Sequence, residues 1–388
     1  MEQRAMDKKS LIILLGLAGF IVIADNWVIA PILPAISESL NLDISRVGLL
    51  ITAYMIPYGI FQIIFGPLAD RFGKKQVITF SVLAFTVSTG ICALGSSLMN
   101  LVIFRVLTGI FAASIIPVSL ALIGDVFPFE ERQQAIGTFM GISFLGQGLS
   151  MAIGGTIAFF LNWRGVFITY ALLSLIPASL LIRNYKLLPS MKNKSGNIVK
   201  PYIKLITKSN SLYTYIIVIF DGMFIVGSFS FIGAYISKIH NYNYLIIGII
   251  MTGFGLMSVI GGRLSGKVTN KIGAGRVLKI GLILATLADM FIYFLGTNIF
   301  ILVISVTLLG LGFIFTHSTL LTRATTFAEK SRGSAMSLVA FCFMGGGGLG
   351  TAIGSKIIFL YGINTLFIIY GLFLLLTLGL SYVLIKEI

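Results

Sequence analysis

Asp25 interrupts the apolar run LIILLGLAGFIVIADNWVIAPILP, and Arg105 interrupts another, LVIFRVLTGIFAAS. Asp221 and Asp289 do the same in the second half of the chain. A charge at the centre of a hydrocarbon layer costs about 3 kcal/mol or more unless it is paired, hydrated or neutralised, so such residues are candidates for function by default. The chemistry open to them is proton exchange. Burial favours the neutral carboxyl and a nearby guanidinium favours the carboxylate, so an acid held between the two can take up and release a proton as its surroundings change. At ~1.5 Å per residue, Arg105 falls roughly 10 Å and Asp25 about 15 Å below the same ends of their helices, depths compatible with a pair. The plainer alternatives are a helix-breaking role for Asp25 near Pro31 and Pro34, and snorkelling of Arg105 to headgroups.

The elements that must hold these residues are membrane spans. Of 388 residues, 57% are hydrophobic and only 11% charged, with a mean hydropathy of +1.01; a soluble domain has about one-quarter charged residues. Windows of about 20 apolar residues fit twelve times, at 11–36, 47–65, 77–93, 101–127, 135–161 and 165–185, then at 212–237, 245–265, 277–295, 299–321, 335–360 and 365–385. The first window has no cleavage site and reads as a retained helix. The net charge of +15 forms no continuous basic face, which argues against nucleic acid as a partner. With both termini cytoplasmic, most cations fall inside, and the outer loops keep only Arg46, Arg164, Lys238 and Lys356, as the positive-inside rule asks. Cys92 and Cys342 lie in apolar segments without metal-ligand spacing, and no cofactor is indicated.

A polar stretch, Lys186 to Asn210, carries six lysines and no acid. It divides the chain into an N-terminal six-helix bundle, 1–185, a basic cytoplasmic linker, 186–210, and a C-terminal six-helix bundle, 211–388. The halves are repeats at a shift of 200 residues. Gly146, Gly148, Leu149, Ala152, Ile153 and Gly154 fall on Gly346, Gly348, Leu349, Ala352, Ile353 and Gly354, and Phe167, Ile168, Tyr170 and Leu172 fall on Phe367, Ile368, Tyr370 and Leu372. Parallel six-helix repeats are a recurrent transporter architecture, with the site at the midplane between halves.

Between the second and third windows stands GPLADRFGKK, Gly66 to Lys75, expected to be a short loop opened by the Gly-Pro break. Gly66, Leu68, Asp70, Arg71, Gly73, Lys74 and Lys75 resemble motif A of the major facilitator superfamily. A second copy at Gly266 to Gly273 keeps the glycines and a cation but has Asn270 in place of the acid. The resemblance implies an all-α membrane fold of twelve helices in two pseudo-symmetric halves. It also implies that Asp125, at the inner end of the fourth helix, joins Asp70 and Arg71 in a charge network latching the inner gate when the outer side is open. Glu130, Glu131 and Arg132 are read as solvated.

DNWVIAPILP from Asp25 resembles the acid-to-proline motif of the drug:proton antiporters, and Arg105 with Gly109 resembles motif B. GQGLSMAIGG, Gly146 to Gly155, keeps the flanking glycines of motif C but has Ser150 and Met151 where that motif has Gly-Pro. Gly109, Gly146, Gly154 and Gly155 are therefore expected at close helix contacts. In this superfamily the first, fourth, seventh and tenth helices line the cavity, which makes Asp221 the candidate for a second cation or proton site, with a structural polar contact as its alternative, and Asp289 a structural residue. His317, toward the inner end of the tenth helix, is read as exposed or capping.

The resemblance implies a monomeric, non-enzymatic transporter of the cell membrane that exports small lipophilic compounds against protons, with Asp25 the principal coupling carboxylate, Arg105 tuning it, and a cationic substrate competing for the same acid. A carrier of a defined polar metabolite and a non-transporting membrane sensor are the alternatives. The glycine-rich runs at Gly253 and Met344 lack GxxxxGK[ST], which sets ATP-driven transport aside.

Overall fold

The computed structural model describes residues 6–188, 199–327 and 332–385. Among these residues, twelve helices are long and apolar enough to cross a membrane. In the first half they are α1 Lys8–Leu40, α2 Ile44–Phe72, α3 Lys74–Cys92, α4 Leu98–Val126, α5 Phe129–Phe160 and α6 Trp163–Arg183. In the second they are α7 Ser211–His240, α8 Tyr244–Ile272, α9 Ala274–Leu295, α10 Ile299–Phe327, α11 Arg332–Tyr361 and α12 Ile363–Leu384. Helices are what this composition permits, because in hydrocarbon every backbone donor and acceptor must be satisfied within the segment.

The helix ends are set by polar side chains at the turns. Asp7, Ser97, Asn162 and Asn243 accept from backbone N–H groups in the first turns of α1, α4, α6 and α8, filling valences that the helix leaves open. Asn41 and Asn241, 200 residues apart, end α1 and α7 with φ of 52° and 53°, the left-handed region that asparagine tolerates. Pro31 and Pro34 stay inside α1, so Asp25 is not a cap or a break.

The expected loop from Gly66 is helix instead. α2 continues through Pro67 to Phe72, and Gly73, at φ 106°, alone makes the turn into α3. Its counterpart Gly273, at φ 89°, turns α8 into α9. Asp70 and Arg71 reach solvent from the last turn without unwinding it, and one glycine with positive φ is enough to reverse the chain.

Each half repeats one packing scheme. In the first, α1 packs on α5, α2 on α4, and α3 on α4 and α6; in the second, α7 packs on α11, α8 on α10, and α9 on α10 and α12. The halves meet through α2 against α11, α5 against α8, and α1 against α7. Within the stretch between them, Val199–Ile206 is a short helix; Lys192 and Lys194 lie outside the described residues. Large apolar side chains such as Phe80, Val87 and Leu376 project outward, as a lipid-facing belt requires.

On the face remote from the termini the halves interlock. Thr52 and Thr351 exchange a hydroxyl hydrogen bond of 2.7 Å, and the Tyr244 hydroxyl donates to the Glu38 carboxylate. Toward the terminal face the halves separate around a central cavity.

Candidate functional site

The cavity has a volume of about 1440 Å³, larger than the ~1,000 Å³ that bounds most small-molecule sites. It runs from the ends of α2 and α10 and the starts of α5 and α11 inward to Trp27 and Phe313. Those two rings belong to an aromatic ceiling: Trp27 of α1 lies 5.2 Å from Phe229, 5.3 Å from Phe254 and 5.8 Å from Phe313, all of the other half. Flat rings meeting across the halves exclude water from the remote side while leaving a polarizable surface below. Trp27, Tyr58, Phe144, Phe313 and Phe343 are aromatic residues of the cavity wall. Tyr54 is instead buried under Arg105, and Phe224 stacks on Phe373 within the second half.

Most of the wall is apolar. Its deep polar groups are Asn26, Tyr58, Gln62, Gln147 and His317, and Asp70, Arg71 and Arg132 stand at the mouth. Gln62 and Gln147 are 5% and 2% exposed, and each holds a buried amide atom, Oε1 and Nε2 respectively, without a partner. Sequence reading did not single them out, because a glutamine in an apolar run is uncharged and gives no signal beyond its polarity.

Asp25 and Arg105 meet. Arg105 Nη1 donates to Asp25 Oδ2 over 2.9 Å, and both side chains are fully buried. The guanidinium lies 4.2 Å from the centre of the Tyr54 ring, a cation–π contact strengthened by the absence of water. Among the described residues, Asp25 Oδ1 and Arg105 Nε and Nη2 have no partner. The pair is set behind the wall: neighbours Asn26 and Trp27 line the cavity and Asp25 does not. The expectation that a cationic substrate meets this carboxylate is corrected for this conformation, because the i to i+1 rotation of about 100° turns Asp25 toward α4.

A second acid pair stands in the other half. His317 Nδ1 and Asp221 Oδ2 are 2.9 Å apart; Asp221 is fully buried and the His317 side chain is 17% exposed. His317 lines the cavity, stacked on Phe313 at 5.4 Å and against Phe343 at 4.2 Å. The reading of His317 as exposed or capping is thereby corrected: its position in the middle turns of α10 aims it at α7. From Asp221 to Val226, α7 widens to one turn of i→i+5 bonding, a deviation found mostly at functional sites. The signal available in sequence was that each half carries an acid in its first helix and a cationic type in its fourth. The repeat hid it, since Asp25 and Arg105 fall on Ile225 and Ser305. Asp289 accepts from the Ser228 hydroxyl at 2.5 Å, away from the cavity.

At the terminal face Asp125 pairs with Lys74 at 2.5 Å. Asp70 and Arg71 are exposed at the cavity mouth, so the network of Asp125 with Asp70 and Arg71 is not assembled with this face open. Glu131 pairs with Lys8 at 2.7 Å rather than standing free, and the Glu130 side chain lies outside the described residues. Tyr202, on the short helix between the halves, faces Ser334 and Ser337 of α11. Burial pushes its phenol up and those hydrogen bonds oppose the shift.

Four glycines expected at helix contacts have no room for a side chain. A methyl group would meet the Tyr54 carbonyl at Gly109, the Phe20 carbonyl at Gly146, Val28 at Gly154 and the Tyr244 carbonyl at Gly155. Gly66 is different, with open space around it.

The sequence pattern of the Major Facilitator Superfamily matches residues 15–244 and again 214–387. The chain belongs to this superfamily. As a superfamily member it is a membrane transporter of small molecules and not an enzyme. It is similar to the uncharacterized MFS-type transporter YceJ of Bacillus subtilis (strain 168), 29% identical over 273 residues, 68% of each chain. It is similar also to the bicyclomycin resistance protein homolog of Haemophilus influenzae, 25% identical over 66% of each chain. To the hexuronate transporter of Bacillus subtilis it is 28% identical over 50% of this chain and 46% of that one. Among solved structures, a bacterial homolog of the human lysosomal transporter Spinster, inward-facing and unoccupied, superposes with a TM-score of 0.83 at 17% identity over 97% of this chain and 96% of that one. The nucleoside transporter NupG superposes with a TM-score of 0.81 at 14% identity, over 98% and 100%. These likenesses fix the fold of a secondary transporter and leave the substrate open.

Proposed function

We propose that this transporter exports small lipophilic compounds from the cytoplasm in exchange for protons, working as a monomer with both termini cytoplasmic. The observation that carries the reading is Asp25: a fully buried carboxylate with one oxygen on Arg105 and the other unpartnered. Asp221 and Asp289 also leave one oxygen open; Asp25 differs in facing a guanidinium that is itself fully buried, an arrangement costly to hold inside a membrane unless it serves function. A coupling acid needs the spare valence to accept a proton. The largely apolar wall and aromatic ceiling suit lipophilic cargo. The basic terminal face supports the orientation, which makes this conformation open to the cytoplasm, and the drug-resistance relatives agree with export.

Purified protein in proteoliposomes under an imposed pH gradient tests the reading, with ethidium and uncharged chloramphenicol as probes. Uphill movement of both, with counterflow of protons, is the expected result; saturable transport of one polar metabolite and of neither probe would overturn it. Orientation is tested with the buried Cys92 and Cys342 replaced. A cysteine at Thr207 is expected to label only from the cytoplasmic side, and one at Asn241 only from outside.

One observation favours a second reading, a carrier of a polar metabolite. Asn26, Gln62 and Gln147 line the wall, and open carboxamide valences suit hydroxyl-bearing cargo. The same proteoliposomes decide between the two.

A further inference from the structure

We propose that Asp221 and His317 form a second proton site, in the C-terminal half, which exchanges its proton directly with the central cavity. The proposal rests on the antiport reading above and assigns that reading a second, differently built coupling site.

The two acid pairs differ in what one proton does to them. Asp25 with Arg105 is neutral when Asp25 is ionised, and a proton would leave it cationic. Asp221 with a neutral His317 is anionic, and a proton makes it neutral overall. A buried pair with net charge is far costlier than a neutral one, so closing the cavity around Asp221 and His317 favours the protonated pair, while water in the open cavity supports its release. The step balances simply. The Nε2–H bond of the imidazolium breaks and cavity water takes the proton. The electron pair stays on Nε2, and Nδ1–H continues to donate to Asp221 Oδ2.

Access separates the pairs as well. Asp25 and Arg105 are both fully buried behind the wall, whereas the His317 side chain is 17% exposed and lines the cavity. With Nδ1 engaged by Asp221, the ring has its Nε2 edge free of protein partners among the described residues. Among the described residues, His317 is the side chain of opposite type in contact with Asp221. α11 faces the ring with Phe343, and α1 supplies Trp27 to the neighbouring Phe313. Cys342 of α11, Tyr215 of α7 and Arg323 of α10 are the next titratable groups along the packed helices. α8 and α9 carry Arg263, Lys267, Lys271, Arg276 and Lys279 toward the terminal ends of their helices, and Asp289 of α9 is buried against Ser228 of α7. The turn of i→i+5 bonding that opens at Asp221 gives α7 a local device for reorienting the carboxylate when the halves move.

The chain has two histidines, His240 and His317, which makes a direct test practicable. Protein labelled with nitrogen-15 histidine, in lipid nanodiscs, gives two imidazole signals, and His240→Gln assigns them. The His317 ring nitrogens are expected to report proton uptake, and Asp221→Asn to change that response because the facing negative charge is lost. An unchanged response in Asp221→Asn overturns the site. In proteoliposomes, His317→Gln retains a hydrogen bond to Asp221 but carries no proton. It is expected to transport ethidium with a lower proton-to-dye ratio than wild type while Asp25→Asn abolishes uphill transport. A wild-type ratio in both His317→Gln and Asp221→Asn overturns the proposal and leaves antiport standing. If the unaltered protein moves no protons with either dye or drug, the antiport reading fails instead, and the labelled-histidine titration alone decides whether the pair binds a proton.

Discussion

Gly155 of α5 and Gly248 of α8 face each other across the halves on the side remote from the termini, and neither has room for a side chain. A Cβ on Gly155 would lie 2.8 Å from Gly248 Cα, and one on Gly248 3.0 Å from Gly155 Cα. The shift of 200 residues carries this contact onto Gly48 and Ser355, which meet where α2 crosses α11. Gly155→Ala is therefore expected to disfavour the conformation described here, since overpacking of this kind costs ~1–3 kcal/mol. That shifts a two-state ratio about ten-fold or more. Thiol labelling of a cysteine placed at Ala234, buried on the remote side, should rise in Gly155→Ala, and unchanged labelling would show that the contact does not hold the remote face closed.

Asp25→Asn removes the exchangeable proton and keeps the shape. Uphill transport is expected to be lost while the protein remains folded and downhill movement of uncharged cargo persists. Arg105→Gln, which strands a buried carboxylate, is expected to destabilise as well as uncouple, because removing one partner of a buried pair costs roughly 3–5 kcal/mol. Thermal unfolding in detergent separates the two variants; equal loss of stability in both would make the pair structural.

Lys74 and Asp125 form a partly exposed ion pair, with side chains 9% and 23% accessible. A double-mutant cycle should return a coupling of about 1 kcal/mol or less, as for pairs near solvent. Asp70, exposed at the open mouth, should matter in the opposite state. Asp70→Asn is expected to slow turnover several-fold with little change in substrate affinity, and Asn270→Ala to change neither. Equal effects at both positions would argue against a latch confined to the first half.

Gln147 offers the cavity wall an amide with an open valence. Gln147→Leu is expected to weaken binding of a hydroxyl-bearing compound such as chloramphenicol about five-fold, the loss of one hydrogen bond of ~1 kcal/mol. Ethidium, held by its rings, should bind as before. Parallel losses for both would place Gln147 in packing.

The sequence by itself determined the spans, the duplication and the superfamily. These rest on local properties: the length of apolar runs, and glycines such as Gly73 and Gly273 whose positive φ repeats 200 residues apart. It also put Asp25 and Arg105, which the structure shows to meet, at compatible depths, because helical rise converts position in the chain into depth. What it could not give is rotation about the helix axes. One residue separates Asn26, on the cavity wall, from Asp25 behind it, and only the packing of α1 against α4, α5 and α7 decides which faces inward. The same uncertainty hid the contact of His317 with Asp221, whose partners lie 96 residues apart and are unrelated by the repeat. It also hid the extra width of the turn at Asp221. Tertiary structure alone decided which face is open, because closure of the other depends on contacts between the halves, such as Thr52 with Thr351, whose residues lie far apart in the chain.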